Sequence, residues 1–527
     1  LATSPQRAYR AACPNCGAPV EFASAASASA VCGFCRSTLV RDGDALRRIG
    51  VSAELFDDHS PLQLGAGGTR QGLAFTLVGR LQYGSAGGTW NEWHALFDNG
   101  RSAWLSEDNG AYVIAFDAPL PSDAPAVAEL RAGQRVVIDG RAWDVASVVR
   151  AKLIAAQGEL PLPPRLDGEF TVVDLRNEAG EVATLDASDP ARVAWSVGRA
   201  VALSELRMHG LLDAQSEKTV SGRSLACPNC GAALDIQLAS TKSVTCSQCQ
   251  SVVDVSQGIG GDLAHYQQNN SGPAGQEPQL PLGKTGMLAL GGPAQPWQLV
   301  GYQERCDIPD GSDDETSFWR EYLLYHRTEG FAFLVDSNDG WSWVKPITGA
   351  PRVRGDVAEW QGVPYAKQFS YSAKVTWVQG EFYWPVRRDE QALVTDYIGR
   401  GESSSKRLSR EQTADEVTWS AGQTLDAATV ADAFAIAPGQ RPALTRDVTI
   451  ATGGGSGIGK GLIIFIVIVV VLIIVFSASG DDCSEVQQTF GGSSAEYQQC
   501  LRNRGSGGGI RTGGGSYGGW SSGGGHK

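Results

Sequence analysis

Histidine is scarce in this chain. The six residues His59, His94, His209, His265, His326 and His526 in 527 form no ligand set and no nucleophile pair. No P-loop or H-E-x-x-H sequence occurs, so these motifs offer no catalytic residue. Positive charge is short as well: 44 Lys and Arg face 57 Asp and Glu, a net charge of -13. A phosphate-neutralising footprint is missing, and no nucleic-acid partner is expected. Helical spacing is rare, and only one long apolar run is present.

The eleven cysteines are few but patterned. Cys13, Cys16, Cys32 and Cys35 follow C-x2-C-x15-C-x2-C, and Cys227, Cys230, Cys246 and Cys249 repeat it. Both sets open with the letters ACPNCG, at 12–17 and 226–231. Two such knuckles on a hairpin bring four thiolates together, which predicts two closed structural zinc sites in two zinc ribbons; iron suits S4 less well. A dithiol redox pair or two disulfides would explain one lone C-x2-C, but not paired knuckles seen twice. Ribbon one has a modest basic bias, with Arg7, Arg10, Arg36, Arg41, Arg47 and Arg48 against Glu21, Asp42 and Asp44. Ribbon two has none. Both read as folding staples or protein-docking modules. Cys306 is expected to be a buried, inert thiol.

Residues 461–478 (GLIIFIVIVVVLIIVFSA) carry no charge, and 458–478 as a helix would span ~30 Å. That predicts one transmembrane helix. Arg441, Arg446 and Lys460 lie within twenty residues on its N-terminal side and no Lys or Arg on the other. The expected topology is therefore a cytoplasmic body and an exported C-terminus. No charged n-region followed by an apolar stretch stands near the first residue, so the ribbons are expected to begin in a reducing cytosol. In the tail, Cys483 and Cys500 are the only exported cysteines and are expected to form a disulfide, with free thiols or an intermolecular bridge as alternatives. Twelve glycines in 505–527 predict disorder there.

The duplication extends beyond the ribbons. Residues 75–79 (FTLVG) match 297–301 (WQLVG), 90–93 (WNEW) match 319–322 (WREY), and 157–159 match 379–381 (QGE in both). Asp174 matches Asp396, and 193–198 (VAWSVG) match 417–422 (VTWSAG). Between these lie short β-branched and aromatic runs such as FTLVGRLQY, SAWLSE and AYVIAF, punctuated by Asn-Gly and Asp-Gly turns. The fold class is mainly β: each ribbon precedes an antiparallel β-sandwich or barrel-like domain. Trp90, Trp93 and Trp104 are expected to fill one core and Trp319, Trp341 and Trp343 the other. Helices are expected only at 197–212 and, more weakly, 421–434. The predicted order is ribbon 1–48, β domain 50–215, ribbon 221–257, linker 258–280, β domain 281–437, linker 438–457, span 458–478 and exported tail 479–527.

The succession V-G-R, W-x-E-W, W-L-x-E-D-x-G, Q-G-E-L-P, F-x-V-V-D-L, A-T-L-D and W-x-x-G-R resembles the bacterial domain of unknown function DUF4178. Residues 61–206 match closely, whereas 282–430 have diverged. The second copy has Tyr322 in place of Trp93, an acidic insertion at 307–315 and no clear A-T-L-D. The resemblance implies a bacterial protein, often a membrane one, with gene neighbours that can include polyamine-synthesis-like and small membrane proteins. It implies no activity.

Repeated acids are the remaining candidates. Trp90, Glu92, Glu159 and Asp174 could form a carboxylate and tryptophan ligand site if they converged in an open cleft. The bland reading is that these acids satisfy turn N–H or Trp N–H groups, in which case Glu92→Gln should cost stability. The leading expectation is a membrane-anchored cytoplasmic scaffold with two zinc ions and a protein partner at the inner membrane face. The rival is an enzyme or small-ligand sensor using those four residues.

Overall fold

The computed structural model describes residues 9–446 apart from 23–28, 43–44, 52–59, 87, 109, 166–167, 190, 213–224, 235, 237–240, 256–262, 264, 269–277, 310–315 and 387–390. In the first half, eight strands close into an antiparallel barrel. They are β1 (Leu73–Ser85), β2 (Gly88–Phe97), β3 (Ser102–Asp108), β4 (Ala111–Ala118), β5 (Arg141–Leu160), β6 (Phe170–Arg176), β7 (Glu181–Asp186) and β8 (Ala194–Val201). Around the barrel the order is β1-β2-β3-β4-β8-β7-β6-β5, and β5 returns to β1. The second half repeats this with β9 (Gln295–Ile308), β10 (Phe318–His326), β11 (Gly330–Ser337), β12 (Gly340–Ile347), β13 (Val363–Phe382), β14 (Gln391–Gly399), β15 (Lys406–Gln412) and β16 (Val417–Leu425). Its closing pair is β13 with β9. Both domains are thus barrels and not open sandwiches.

Closure depends on one long strand in each half. β5 has 20 residues; its first part pairs β6, from Asp144↔Arg176 to Ala151↔Phe170, and its second part pairs β1, from Lys152↔Gly84 to Gly158↔Gly79. At the seam the strands approach so closely that a Cβ on Gly79 would meet the Glu159 carbonyl oxygen at 2.0 Å, and one on Gly158 the Val78 oxygen at 2.3 Å. Gly158 also has φ +71°. Gly301 and Gly380 repeat the crossing, at 2.5 and 2.4 Å from the Glu381 and Val300 oxygens. The V-G and Q-G-E motifs are therefore the two sides of one backbone crossing. Gly158→Ala should lower stability by about 3 kcal/mol, since it adds both strain and a backbone clash. Chemical denaturation of the variant checks this, with Gly140→Ala as a control that has positive φ but open space around it.

The ribbons are welded to those same long strands. Ser29–Val31 pairs with Gly158, Glu159 and Leu160 on the edge opposite β1. In the second half Ser243 and Val244 pair with Phe382 and Glu381, and the Ser243 hydroxyl accepts from the Val386 N–H at 2.8 Å. Each ribbon hairpin therefore continues its barrel sheet.

Strand alternation places side chains on two buried faces of each wall. Inside barrel one, Leu81, Tyr83, Trp90 and Trp104 pack with Ala151, Leu153 and Val172 from the opposite wall. Trp93 lies outside with Phe75, Leu105 and Leu206, because it stands three residues from Trp90 and so faces the other way. The expectation that Trp90, Trp93 and Trp104 share one core is corrected accordingly. Trp319 likewise faces the second barrel's interior, while Trp341 and Trp343 pack outside with Leu280, Phe434 and Leu444.

The expected helix at 197–212 is instead the end of β8 followed by turns. In 421–434 the strand runs on to Leu425, and only Ala427–Ala433 is helical. Strand pairing to β4 and β12 overrides weak helical spacing there. Residues 438–446, read from sequence as the start of a linker, dock on barrel two: Leu444 is buried, its carbonyl accepts from Trp341 Nε1 at 2.8 Å, and Arg446 pairs with Asp336. Among the described residues no helix is long and apolar enough to cross a membrane. The predicted span 458–478, the tail 479–527 and the Cys483/Cys500 pair lie outside the described residues.

Candidate metal centres and the carboxylates inside the barrels

Each knuckle is built by backbone hydrogen bonds that the sequence dictates. The Cys13 N–H donates to Ala18 O (2.7 Å) and Gly17 N–H to Cys13 O (2.8 Å); Cys227 with Ala232 and Gly231 with Cys227 do the same at 2.7 and 2.8 Å. The second knuckle of each ribbon turns through a left-handed residue that is not glycine, Arg36 (φ 58°) and Gln250 (φ 58°). The result brings Cys13 Sγ to 3.6 Å from Cys35 Sγ and Cys16 Sγ to 3.7 Å from Cys32 Sγ. In ribbon two, Cys227–Cys249 and Cys230–Cys246 are both 3.7 Å. A regular tetrahedron with metal–sulfur bonds of ~2.3 Å has sulfurs roughly 3.8 Å apart. All four sulfurs of each set lie within 4.8 Å of one another, and each set could hold a metal ion. Cys306 is a buried free thiol on β9, apart from both sets.

The candidate ligand residues divide. Trp90, Glu92 and Asp174 face the interior of barrel one, on β2 and β6, whereas Glu159 stands at the weld between β5 and ribbon one, where it pairs with Ala30. Glu92 and Asp174 are fully buried and Glu159 is 4% exposed. Glu92 sits in mid-strand, not at a turn, and accepts the Ser106 hydroxyl at 2.7 Å. Asp174 accepts from Thr184 Oγ1 (2.9 Å) and Ser147 Oγ (3.4 Å), with Arg176 Nη2 at 4.0 Å. Burial pushes Glu92 well above the usual carboxylate range, with the Asp174 and Asp186 charges adding to it, and burial pushes Asp174 up to about 6. A cleft of about 310 Å³ at this barrel is lined by Leu81, Tyr83, Leu153 and Phe170, and by none of the four candidates.

Asp186, the acid of A-T-L-D, went unsingled in the sequence. Its register, Val172↔Asp186 beside Asp174↔Thr184, puts it on the same inner face as Asp174, which alternation along F-x-V-V-D-L and A-T-L-D encodes. Glu321, Asp396 and Glu411 hold the equivalent positions in barrel two. There a cation is shared between two of the acids: Arg305, at the register of Tyr83, is fully buried and its Nη1 lies 3.1 Å from Glu321 and 2.8 Å from Glu411. Trp319 Nε1 and Gln303 Nε2 also donate to Glu321, at 2.7 and 2.6 Å. Glu321 is pushed up to about 7 by burial, against which Arg305 pulls.

This geometry reverses the expected cost of Glu92→Gln. A carboxyl whose folded pKa is raised contributes stability that is full below its unfolded value near 4.5 and lost as pH rises through the folded value. Gln does not titrate, so the variant should gain on the wild type as pH rises from 5 to 8. Thermal melts at both pH values check this; a gap that shrinks with pH would mean an ionised, stabilising Glu92.

Outside barrel one, Glu107 collects hydrogen bonds from Ser60 Oγ (2.6 Å), Trp93 Nε1 (2.9 Å) and Asn91 Nδ2 (3.2 Å). This is the part played by the second Trp of W-x-E-W and the acid of W-L-x-E-D-x-G, and it is structural. In the diverged copy Tyr322 stands at the position of Trp93, and its hydroxyl accepts from the Gln279 N–H at 3.2 Å.

Comparison with curated proteins and with solved structures gives no match. Comparison with protein families matches residues 63–203 and 293–427, the two barrels. The matches span more than half of the chain, which therefore belongs to the family described as Domain of unknown function (DUF4178), present here in two copies.

Proposed function

We propose that the chain is a non-catalytic docking scaffold: two ribbon-and-barrel units, each with one structural zinc ion, held at the inner face of a bacterial cell membrane by 458–478, with the tail outside. The observation that carries this reading is the burial of the repeated acids. Glu92, Asp174, Glu321 and Asp396 are all closed inside barrels, where they bond strand side chains or an internal arginine, and so cannot meet a substrate. Zinc is favoured by the all-sulfur donor sets, whose spacing leaves no open position for water. A protein partner is favoured by the weld of ribbon to barrel, which presents each ribbon as a rigid extension of a sheet.

Truncation after Ser456 tests the proposal. The described body ends at Arg446, packed on Asp336, so the truncated chain should fold. It should nevertheless fail to complement a deletion strain, because docking modules released from the membrane lose their site of action. Full complementation by the soluble truncation, with Glu92→Gln stable but inactive, would support the enzyme reading instead.

A further inference from the structure

The cleft between the two barrels has four cations in an otherwise largely neutral lining. Arg135, Asp144 and Arg176 reach it from barrel one and Lys367, Tyr397 and Arg410 from barrel two, around a volume of about 330 Å³. The barrels meet beside it through Val148 N–H to Asp415 O (3.0 Å), a bridge between Ser147 and Glu416, and Gln412 Nε2 to Ala132 O (3.4 Å). The cleft is therefore formed only when both repeats are present.

Most of the acids nearby are already engaged; among the described residues Asp356, whose carbonyl accepts from the Lys367 N–H at 2.8 Å, is not. Asp144 lies 3.3 Å from Arg135 Nε, Glu178 lies 2.7 Å from Arg135 Nη2 and also pairs with Arg352, and Asp174 stands behind Arg176 inside the barrel. Glu416 acts on Arg176 from the second barrel. Lys367 and Arg410 differ. Among the described residues neither has a carboxylate within ion-pair distance; Arg410 Nη2 donates to the neutral Gln412 Oε1 at 2.8 Å, burial lowers its pKa, and Tyr397 and then Asp144 act against that. Arg410 is half-buried, so its charge is partly desolvated without an opposite charge in contact. Beside it the Tyr397 ring is buried and offers a flat apolar wall.

We propose that this cleft binds a phosphate monoester carried on a single ring, with Arg410 and Lys367 holding the oxyanion and Tyr397 packing the ring. Two cations with no carboxylate in ion-pair contact match the nearly double negative charge of a phosphate ester at neutral pH. The guanidinium fork suits its oxygens. The volume lies at the small end of ligand pockets, which favours one ring over a nucleotide.

Titration calorimetry on the full chain in detergent, with phenyl phosphate as the probe, tests the site. Phenyl phosphate should bind saturably and more tightly than inorganic phosphate or benzoate, and benzylamine, a cation of similar size, should not bind. Arg410→Met and Lys367→Met should each weaken phenyl phosphate by about tenfold, while Asp144→Asn should tighten it by removing a like charge. Lys367 is exposed, so its variant keeps the fold and the test remains decisive if Arg410→Met does not. Absence of saturable binding up to millimolar phenyl phosphate, or an affinity unchanged in Lys367→Met, would overturn the proposal.

Discussion

Cys246→Ser should leave the chain with one metal ion and lower the melting temperature of the second barrel by roughly 10 °C, the effect of about 3 kcal/mol on a domain of this size. Cys246 directly follows the strand Ser243–Thr245, which pairs on one side with Val252–Asp254 and on the other with Glu381 and Phe382 of β13. Val252 from the ribbon also packs into the barrel's inner cluster with Trp319 and Phe382. Loss of one thiolate removes a site worth on the order of 10 kcal/mol in apparent binding. Once the hairpin detaches, the end of β13 loses its partner and Phe382 and Val252 lose cover. Calorimetry with metal analysis checks this. A lost ion with an unchanged barrel transition would mean that ribbon and barrel are only tethered.

Arg305→Met should cost about 3–5 kcal/mol, because it leaves Glu321 and Glu411 buried without their shared cation. Met nearly fills the space, so lost volume contributes little. The pH dependence separates charge from packing. With Arg305 gone, Glu321 loses the charge that pulls it down and should be raised beyond about 7, so the variant should recover as pH falls from 8 through that region. Equilibrium denaturation from pH 5 to pH 8 checks this. A loss of equal size at every pH would point to packing instead.

The contrast between the barrels explains what could be read from the sequence. The cysteine sets were legible because ligand spacing is local, as were the strands, because their period of two is local. The glycine pair at each seam was visible as a motif, but its purpose was not, since Gly79 and Gly158 meet only when the barrel closes. Trp93 was assigned to the wrong face, since a core covered on both sides of the wall leaves no polar face to set the direction. Asp186 was missed because its partners Glu92 and Asp174 lie on separate strands, and the A-T-L-D that marks it becomes LSRE in the second copy, where Glu411 keeps the register. The basic cleft was invisible for a related reason: Arg410 and Lys367 are unremarkable as letters, and only the docking of two repeats brings them opposite Arg135 and Arg176.

The central claim is that the chain is two copies of one unit, a metal-pinned ribbon welded to a closed barrel. Metal analysis of the purified chain, kept reduced and free of chelator, tests it most directly. The account predicts two zinc ions per chain, falling to one in Cys16→Ser and one in Cys246→Ser and to none in the double variant. Less than one zinc per chain in the unaltered protein, or cysteines joined as disulfides within each set, would contradict it.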